Sequence, residues 1–440
     1  MKASNYNFFY PFDETEQKLL AYNAFSNSLA LIEKEKYDKY INFLETDKEF
    51  DDERLVEDLK KGSFLIEDNV DELALLRYQL YKSRFDSTNF GITIALTSDC
   101  NFRCIYCYEK DSLTPCKMSE ETEGNIVNLL KHQIGKIKHF SVTWYGGEPL
   151  LGLDSLQRLS KEFIKICDEN QIAYSAGIVT NGYLLTLETY NILKECRVTG
   201  MQITIDGDEE THNQRRPLAG GQPTYQKIMS NLEALPYPSE MNISIRINVD
   251  GTNYSKGMNV LNELQERDIL KKVNPYLAKV IDVEGCYNEE QCLSSEIYFK
   301  LSDAFLHKSK ELKQEDNFYQ YPQRYYSHCG ADRENALVIN ANGDIYKCWE
   351  DIGKDMYCLG NINSTLNPTS RRKTDFLTSD PTLDPTCKDC RVLPICMGGC
   401  PARRLSGKKD ICVAFKDNLE KYLYEAAKIL KKQKAQKEEK

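Results

Sequence analysis

Three cysteines stand at CxxxCxxC spacing in CNFRCIYCYE, residues 100–109: Cys100, Cys104 and Cys107. A structural zinc site closes on four ligands, commonly from two CxxC-like knuckles, and three thiols on one loop fit that poorly. A 4Fe-4S cube suits them better, because each iron takes one external ligand and three thiolates leave one iron open to a small molecule. Tyr106, beside the last cysteine, brings an aromatic face to that position. A second set lies far downstream. Cys329 is followed by thirteen residues, Gly343, four residues and Cys348; then come Cys387-x2-Cys390-x5-Cys396-x3-Cys400 and, eleven residues on, Cys412. A zinc ribbon built on CKDC and CMGGC would use four of these and leave Cys329, Cys348 and Cys412 unexplained.

Composition narrows the setting for this chemistry. A chain of 440 residues with 41% hydrophobic and 28% charged residues is long enough for two or three globular domains. The net charge of -10 argues against a nucleic-acid partner, which requires clustered Lys and Arg. The one basic run, KILKKQKAQKEEK, continues a helical pattern from Asp417 and reads as a solvated helix end. The N-terminal stretch MKASNYNFFYPFDETEQ has no signal-peptide pattern, and no apolar run is long enough to span a bilayer. The expectation is a cytoplasmic protein without a membrane partner. Thiols stay reduced there, so sixteen cysteines are expected to hold metal or do redox chemistry rather than pair.

The elements that must position the cysteines follow from periodicity. From residue 91 the strand candidates are GITIALT, HFSVTWYG, AYSAGIVT, MQITIDG, NISIRINVD and VNPYLAKVIDV, with helices starting near Ser119, Asp154, Thr186, Thr224 and Tyr254. Six strands with helical crossovers imply an α/β core, a parallel sheet curling into a partial (β/α)6 TIM-like barrel over residues 91–285. Ligands gather at the C-terminal ends of such strands, where the cysteines, GGEP, TNG and DG all fall. Residues 1–90 read as a winged-helix-like unit: a hairpin over KLLAYNAFSNSLALIE, helices over EKEKYDKYINFLE and DERLVEDLKKG, a short strand FLI, and a helix DELALLRYQLYKSRF. Residues 286–328 form a bridging region with a helix from Ser295 to Glu315, residues 329–416 a loop-rich domain that needs metal staples, and 417–440 a helix and basic tail.

CNFRCIYC followed one helix and strand later by GGEP resembles the signature of the radical S-adenosylmethionine (SAM) enzymes. In that family the open iron binds the amino and carboxylate groups of the methionine moiety, and reductive cleavage gives a 5'-deoxyadenosyl radical that removes a hydrogen atom from the substrate. Gly146 and Gly147 permit close backbone approach, and Glu148 is an acceptor for the ligand ammonium. The resemblance further points to Thr180, Asn181, Thr204, Asp206 and Asn248 for the ribose and carboxylate, against a turn-forming or capping role for each. Arg215 and Arg216 resemble the arginine that meets the methionine carboxylate, Arg216 being the preferred one and the other a solvated neighbour. The downstream set resembles the seven-cysteine SPASM extension, named for subtilosin, pyrroloquinoline quinone, anaerobic sulfatase and mycofactocin maturation. By that resemblance Cys329, Cys348 and Cys400 hold one auxiliary 4Fe-4S cluster and Cys387, Cys390, Cys396 and Cys412 a second, three clusters in all. Some relatives have a fourth ligand where Gln323 stands here, which leaves Cys286, Cys292, Cys358 or an open iron to complete the first set. Cys167 and Cys196 read as ordinary core thiols.

Auxiliary clusters imply that a product radical must lose an electron. The leading expectation is a maturase that forms a thioether or carbon-carbon crosslink in a ribosomally synthesised precursor peptide, its leader bound at residues 1–90 as an added strand. A flavodoxin or ferredoxin is the expected electron donor. One alternative is an anaerobic sulfatase-maturing enzyme that makes formylglycine. Those relatives carry an Asp base just after the cysteine matching Cys348, where Trp349 stands here; Glu350 and Asp351, which follow, are the remaining candidates to deprotonate a substrate. Another alternative is a non-catalytic iron-sulfur carrier or peptide adaptor.

Overall fold

The computed structural model describes residues 1–440 except 14–16, 47–51, 114, 284, 315–320, 365–369, 409–410, 414 and 439–440. Residues 1–85, 315–332 and 378–440 form one compact unit, and 86–314 with 333–377 a second. In each unit, segments far apart in sequence share a core.

The first unit begins with β1 (Lys2–Ala3), β2 (Asn7–Asp13), β3 (Lys18–Asn23), β4 (Ser28–Glu33), α1 (Lys34–Thr46), α2 (Glu53–Lys61), β5 (Leu65–Ile66) and α3 (Glu72–Arg84). The order β2-β3-β4 is an antiparallel sheet, while β1 pairs with β5. Asp52 and Asp71 cap α2 and α3 by accepting from Leu55 N (2.9 Å) and Ala74 N (2.9 Å). A buried polar knot ties sheet to helix. The two N–H donors of the Asn23 amide are shared among Ser4 Oγ (2.9 Å), Asn7 Oδ1 (2.8 Å) and Ser63 O (2.9 Å), its oxygen accepts from Ser26 N (2.8 Å), and Ser4 Oγ donates to Glu72 on α3.

The second unit carries β6 (Asn89–Ala95), α4 (Glu120–Lys131), β7 (His139–Tyr145), α5 (Leu153–Glu169), β8 (Ala173–Thr180), α6 (Leu187–Glu195), β9 (Val198–Thr204), α7 (Glu209–Arg215), α8 (Tyr225–Glu233), β10 (Asn242–Val249), α9 (Gly257–Glu266), β11 (Asn274–Lys279), α10 (Ser295–Lys313), β12 (Ala336–Ile339), β13 (Ile345–Tyr346) and α11 (Arg371–Thr378). Its sheet runs β11-β10-β9-β8-β7-β6-β12-β13 with β6 to β11 parallel, the partial TIM-like core of the expectation. Two features go beyond it: β12 extends the sheet parallel to β6, with β13 antiparallel beside it, and α7 is an added short helix. One strand face and the helices meet in a core where Phe140 contacts Phe90 and Phe163 at centroid distances of 5.6 and 5.1 Å. The α10 helix is described to Lys313; the expected end at Glu315 lies outside the described residues.

The first unit is completed by α12 (Pro401–Leu405) and α13 (Phe415–Glu438). Leu419, Leu423 and Ala427 of α13 pack with Tyr6, Phe8, Leu20 and Tyr22 of the N-terminal segment and with Leu76 and Leu80 of α3. Arg84 and Asp332 form a buried ion pair within this unit (3.4 Å). Among the described residues no helix is long and apolar enough to cross a membrane.

Asn23→Ala removes the hub of the buried knot and leaves several polar groups without partners, each costing about 1–3 kcal/mol. The expected outcome is faster amide hydrogen exchange over residues 4–26 while the strands of the second unit keep their protection.

Candidate functional site in the second unit

The cysteine loop starts where β6 ends and is fixed on two sides by backbone hydrogen bonds. On one side Gly147 N donates to Thr97 O (3.1 Å) and Glu148 N to Asp99 O (2.9 Å); on the other, Arg103 N donates to Pro217 O (2.9 Å), Ile105 N to Arg215 O (3.0 Å) and Ala219 N to Asn101 O (2.7 Å). The first clamp explains the glycine pair. Gly146 has φ +113°, and a Cβ there would sit 2.5 Å from Thr97 O; one on Gly147 would overlap the Asp99 carbonyl and press to 3.1 Å on Cys100 Cβ.

Glu148 is buried, and its carboxylate accepts from Thr180 Oγ1 (2.7 Å), Asn181 N (2.8 Å) and Leu150 N (3.0 Å). Three of the roughly four acceptor positions of a carboxylate are thus engaged by the chain, which leaves about one for a ligand ammonium. Burial pushes its pKa up, opposed by these hydrogen bonds. Thr180 and Asn181 are likewise occupied by the protein, Asn181 Nδ2 reaching Asn101 Oδ1 in the cysteine loop (2.7 Å).

A second network gathers behind Tyr106. Its hydroxyl accepts from Arg216 Nη1 (2.7 Å) and Asn248 Nδ2 (3.0 Å) and donates to Asp206. Asp206, fully buried, also meets Arg215 Nε (3.4 Å) and Asn248 N (3.3 Å), while its own N–H donates to His212 Nδ1 (3.1 Å). Thr204 ends β9 beside it and is buried, with Arg246 of β10 as its register partner. Neither arginine is the solvated neighbour of the expectation: both are buried because α7 folds them under the strand ends. Their roles separate. Arg215 is neutralised by Asp250 (2.8 Å) and Asp206 and lies over the Tyr106 ring at 5.1 Å, so one face of that ring is covered by a cation. Arg216 keeps a buried Nε without a hydrogen-bond partner among the described residues. Burial works against its charge, and the nearby Asp206 carboxylate favours it.

These observations test the fit of an iron cluster and SAM. Burial raises all three thiols, Cys100 and Cys107 to about 12, and Cys104 adds to the rise at the other two. Such thiols become thiolates only when a cation joins them, as iron would. The unpartnered Arg216 Nε suits a carboxylate. The residues fit the groups.

Residues 94–236 match the Radical SAM superfamily. The chain carries a radical SAM domain. Among its relatives, the cysteine-type anaerobic sulfatase-maturating enzyme of Clostridium perfringens is 27% identical over 346 residues, covering 71% of this chain and 88% of that protein. Among solved structures, native anSMEcpe with bound AdoMet and Kp18Cys peptide has a TM-score of 0.59 at 20% identity, covering 78% of this chain and 98% of that one. Streptococcus suis SuiB bound to precursor peptide SuiA has a TM-score of 0.54 at 15% identity, covering 93% and 98%. These two likenesses concern the fold.

Residues outside the motifs also converge in the second unit. Glu109, two positions after Cys107, is only 7% exposed, has an Oε1 without a hydrogen-bond partner among the described residues, and is pushed up to about 7 by burial. Tyr108 hydrogen-bonds Tyr145 through their hydroxyls, and Tyr287 donates to Asp250 (2.7 Å). The YE after the third cysteine and the D of NVDG were visible in the sequence, yet carried no periodic or spacing signal.

The second cysteine set divides between the units. In the first unit Cys387, Cys390, Cys396 and Cys412 lie within electrostatic reach of one another or of a shared Lys416, whose Nζ is 3.5 Å from Cys412 Sγ, and Cys400 lies within electrostatic reach of Cys329. Asp332 caps this cysteine turn by accepting from His328 N (3.1 Å) and Cys329 N (3.2 Å). Cys348 and Cys358 belong to the second unit, where Cys358 Sγ faces Gly360 O (3.2 Å). Gln323 is exposed, and Cys167 and Cys196 are buried core thiols.

Gly147→Ala is expected to lower the iron bound per chain and the absorbance near 400 nm after reconstitution. Gly124→Ala, where a Cβ meets open space inside α4, should leave both unchanged. Tyr106→Phe removes the acceptor shared by Arg216 and Asn248 and is expected to weaken SAM binding by roughly tenfold or more, with normal iron content, since hydrogen bonds to charged groups contribute about 1.5–3 kcal/mol.

Proposed function

We propose that this radical SAM protein is a peptide maturase that forms a thioether or carbon-carbon crosslink in a ribosomally synthesised precursor. SAM held at Cys100, Cys104 and Cys107 would supply a 5'-deoxyadenosyl radical, with Glu148, Thr180, Asn181, Thr204, Asp206, Arg216 and Asn248 lining its site. Each crosslink removes two hydrogens, one as a hydrogen atom and one as a proton plus an electron. The proposed electron acceptors are two auxiliary 4Fe-4S clusters, one on Cys329, Cys348 and Cys400 and one on Cys387, Cys390, Cys396 and Cys412. A flavodoxin or ferredoxin in the cytoplasm is the proposed reductant.

The observation that carries the choice of reaction is the turn after Cys348. Trp349 stands where an Asp base would serve formylglycine formation. Asp351 is buried and held bidentate by Arg372 (2.9 and 2.7 Å), so this carboxylate, a candidate base in the sequence, is committed to an ion pair. The leader-binding reading is supported by the N-terminal sheet. Its strand β4 lies at the sheet edge with Ala30, Leu31 and Glu33 exposed, and β-strand addition draws its affinity from main-chain hydrogen bonds at such an edge. The sulfatase-maturing alternative is favoured by the 27% identity to the C. perfringens enzyme; the likeness to SuiB spans more of the chain.

Reconstituted protein given dithionite and SAM is expected to release 5'-deoxyadenosine, and Cys104→Ala to release none; iron-replete wild type without release would leave only the carrier or adaptor alternative. Coexpression with small cysteine-containing peptides encoded beside the gene should yield a mass loss of two hydrogens per modification. An aldehyde at a sulfatase peptide would favour the alternative reaction.

A further inference from the structure

The chain has two tryptophans, and they are used in opposite ways. Trp144 is 0% exposed in the sheet core, whereas Trp349 is 44% exposed. Trp349 is not a loose surface residue. It stacks on Tyr145 with ring centroids 5.4 Å apart and planes 16° from parallel, so its exposure lies on the face and edge turned away from that ring. Tyr145 ends β7 directly before the Gly146–Gly147 clamp, and its hydroxyl is hydrogen-bonded to that of Tyr108, the residue after Cys107. A short line of contacts therefore joins the cysteine loop to the open face of Trp349.

The turn that carries Trp349 is held rigidly. The bidentate Asp351–Arg372 pair pins it, and the Arg372 guanidinium lies 4.0 Å from the Tyr357 ring centroid and 4.6 Å from that of Phe376. Ile352 packs with Ala95, Val338 and Tyr346, and Tyr145 lies against the same cluster. A large flat side chain that is fixed on one face and open on the other is preorganised to receive a second ring, since little freedom remains to be lost on binding. Close by, the buried Glu109 carboxylate lies within electrostatic reach of both Tyr108 and Tyr145.

We infer that Trp349 is a specificity-determining residue: the peptide substrate lays an aromatic side chain, adjacent to the residue that reacts, against its open face. This rests on the peptide-maturase reading and narrows it to substrates with an aromatic residue at the modified position's flank. Aromatic stacking favours such a peptide over an aliphatic one by about 2- to 10-fold in affinity.

The test uses the iron-reconstituted full chain labelled with 5-fluorotryptophan, which should give two fluorine resonances, that of Trp349 being the one lost in Trp349→Phe. The SAM-bound protein is titrated with acetyl-Gly-Phe-Gly-amide, acetyl-Gly-Leu-Gly-amide and acetyl-Gly-Asp-Gly-amide. The expected result is movement of the Trp349 resonance alone, half-complete at a 2- to 10-fold lower concentration for the Phe peptide than for the Leu peptide, with the Asp peptide weakest. A Trp349 resonance that stays fixed, or that responds equally to all three peptides, overturns the inference. Should the variant fold poorly, a soluble paramagnetic probe provides the same assignment, because it broadens the exposed Trp349 resonance and spares that of the buried Trp144. Release of 5'-deoxyadenosine is measured on the same sample without peptide. Its absence defeats the enzyme reading itself, whereas its presence with an unresponsive Trp349 defeats this inference alone.

Discussion

The site depends on one backbone contact, the clamp in which Gly147 N and Glu148 N donate to the carbonyls of Thr97 and Asp99. It brings the end of β7 against the start of the cysteine loop at a distance that no side chain on Gly147 would permit. Because the same turn delivers Glu148 to Thr180 and Asn181, and Asn181 reaches back to Asn101, the clamp links the ends of β6, β7 and β8 into one ring of polar contacts. Three thiols on a flexible loop would adopt many arrangements. Fixing the loop on this side and along residues 215–219 on the other removes that freedom before any iron arrives.

Charge placement follows from this geometry. The strand ends bury Arg215, Arg216, Asp206 and Asp250 together, which is tolerable because opposite charges and hydrogen bonds satisfy one another. Removing one partner from such a group is expected to be more damaging than the pair is stabilising. Arg216 keeps a buried Nε without a hydrogen-bond partner among the described residues, beside thiols that burial keeps protonated until a metal compensates them. Anion-accepting and cation-demanding groups thus face the same loop, which suits a ligand with a carboxylate bound at an iron.

Legibility in the sequence tracked locality. The apolar alternation of GITIALT and HFSVTWYG and the helix starts near Ser119 and Thr186 are encoded within a few residues, and each appears where expected. What escaped was set by distant partners. The four residues of β12 are too short to signal a strand, and they become one by pairing with β6 about 245 residues upstream. Strand β2 was masked by Pro11 in NFFYPFD, which the edge position tolerates. The grouping of residues 1–85 with α13 rests on apolar contacts that no motif announces. Arg215 and Arg216 are adjacent, identical in type and both buried, so only their partners tell them apart: Arg215 pairs with Asp206 and Asp250, and Arg216 with the Tyr106 hydroxyl. Asp351 likewise looked like an available base until Arg372 was found against it.

The central claim, that Cys100, Cys104 and Cys107 hold a cluster whose open iron takes the methionine end of SAM, is tested most directly by electron-nuclear double resonance. The reduced, iron-reconstituted protein would be combined with SAM carrying oxygen-17 in the carboxylate and nitrogen-15 in the amine. Hyperfine coupling to both nuclei, absent in Cys100→Ala, is the predicted result. A full iron complement that shows no coupling to either nucleus would contradict it.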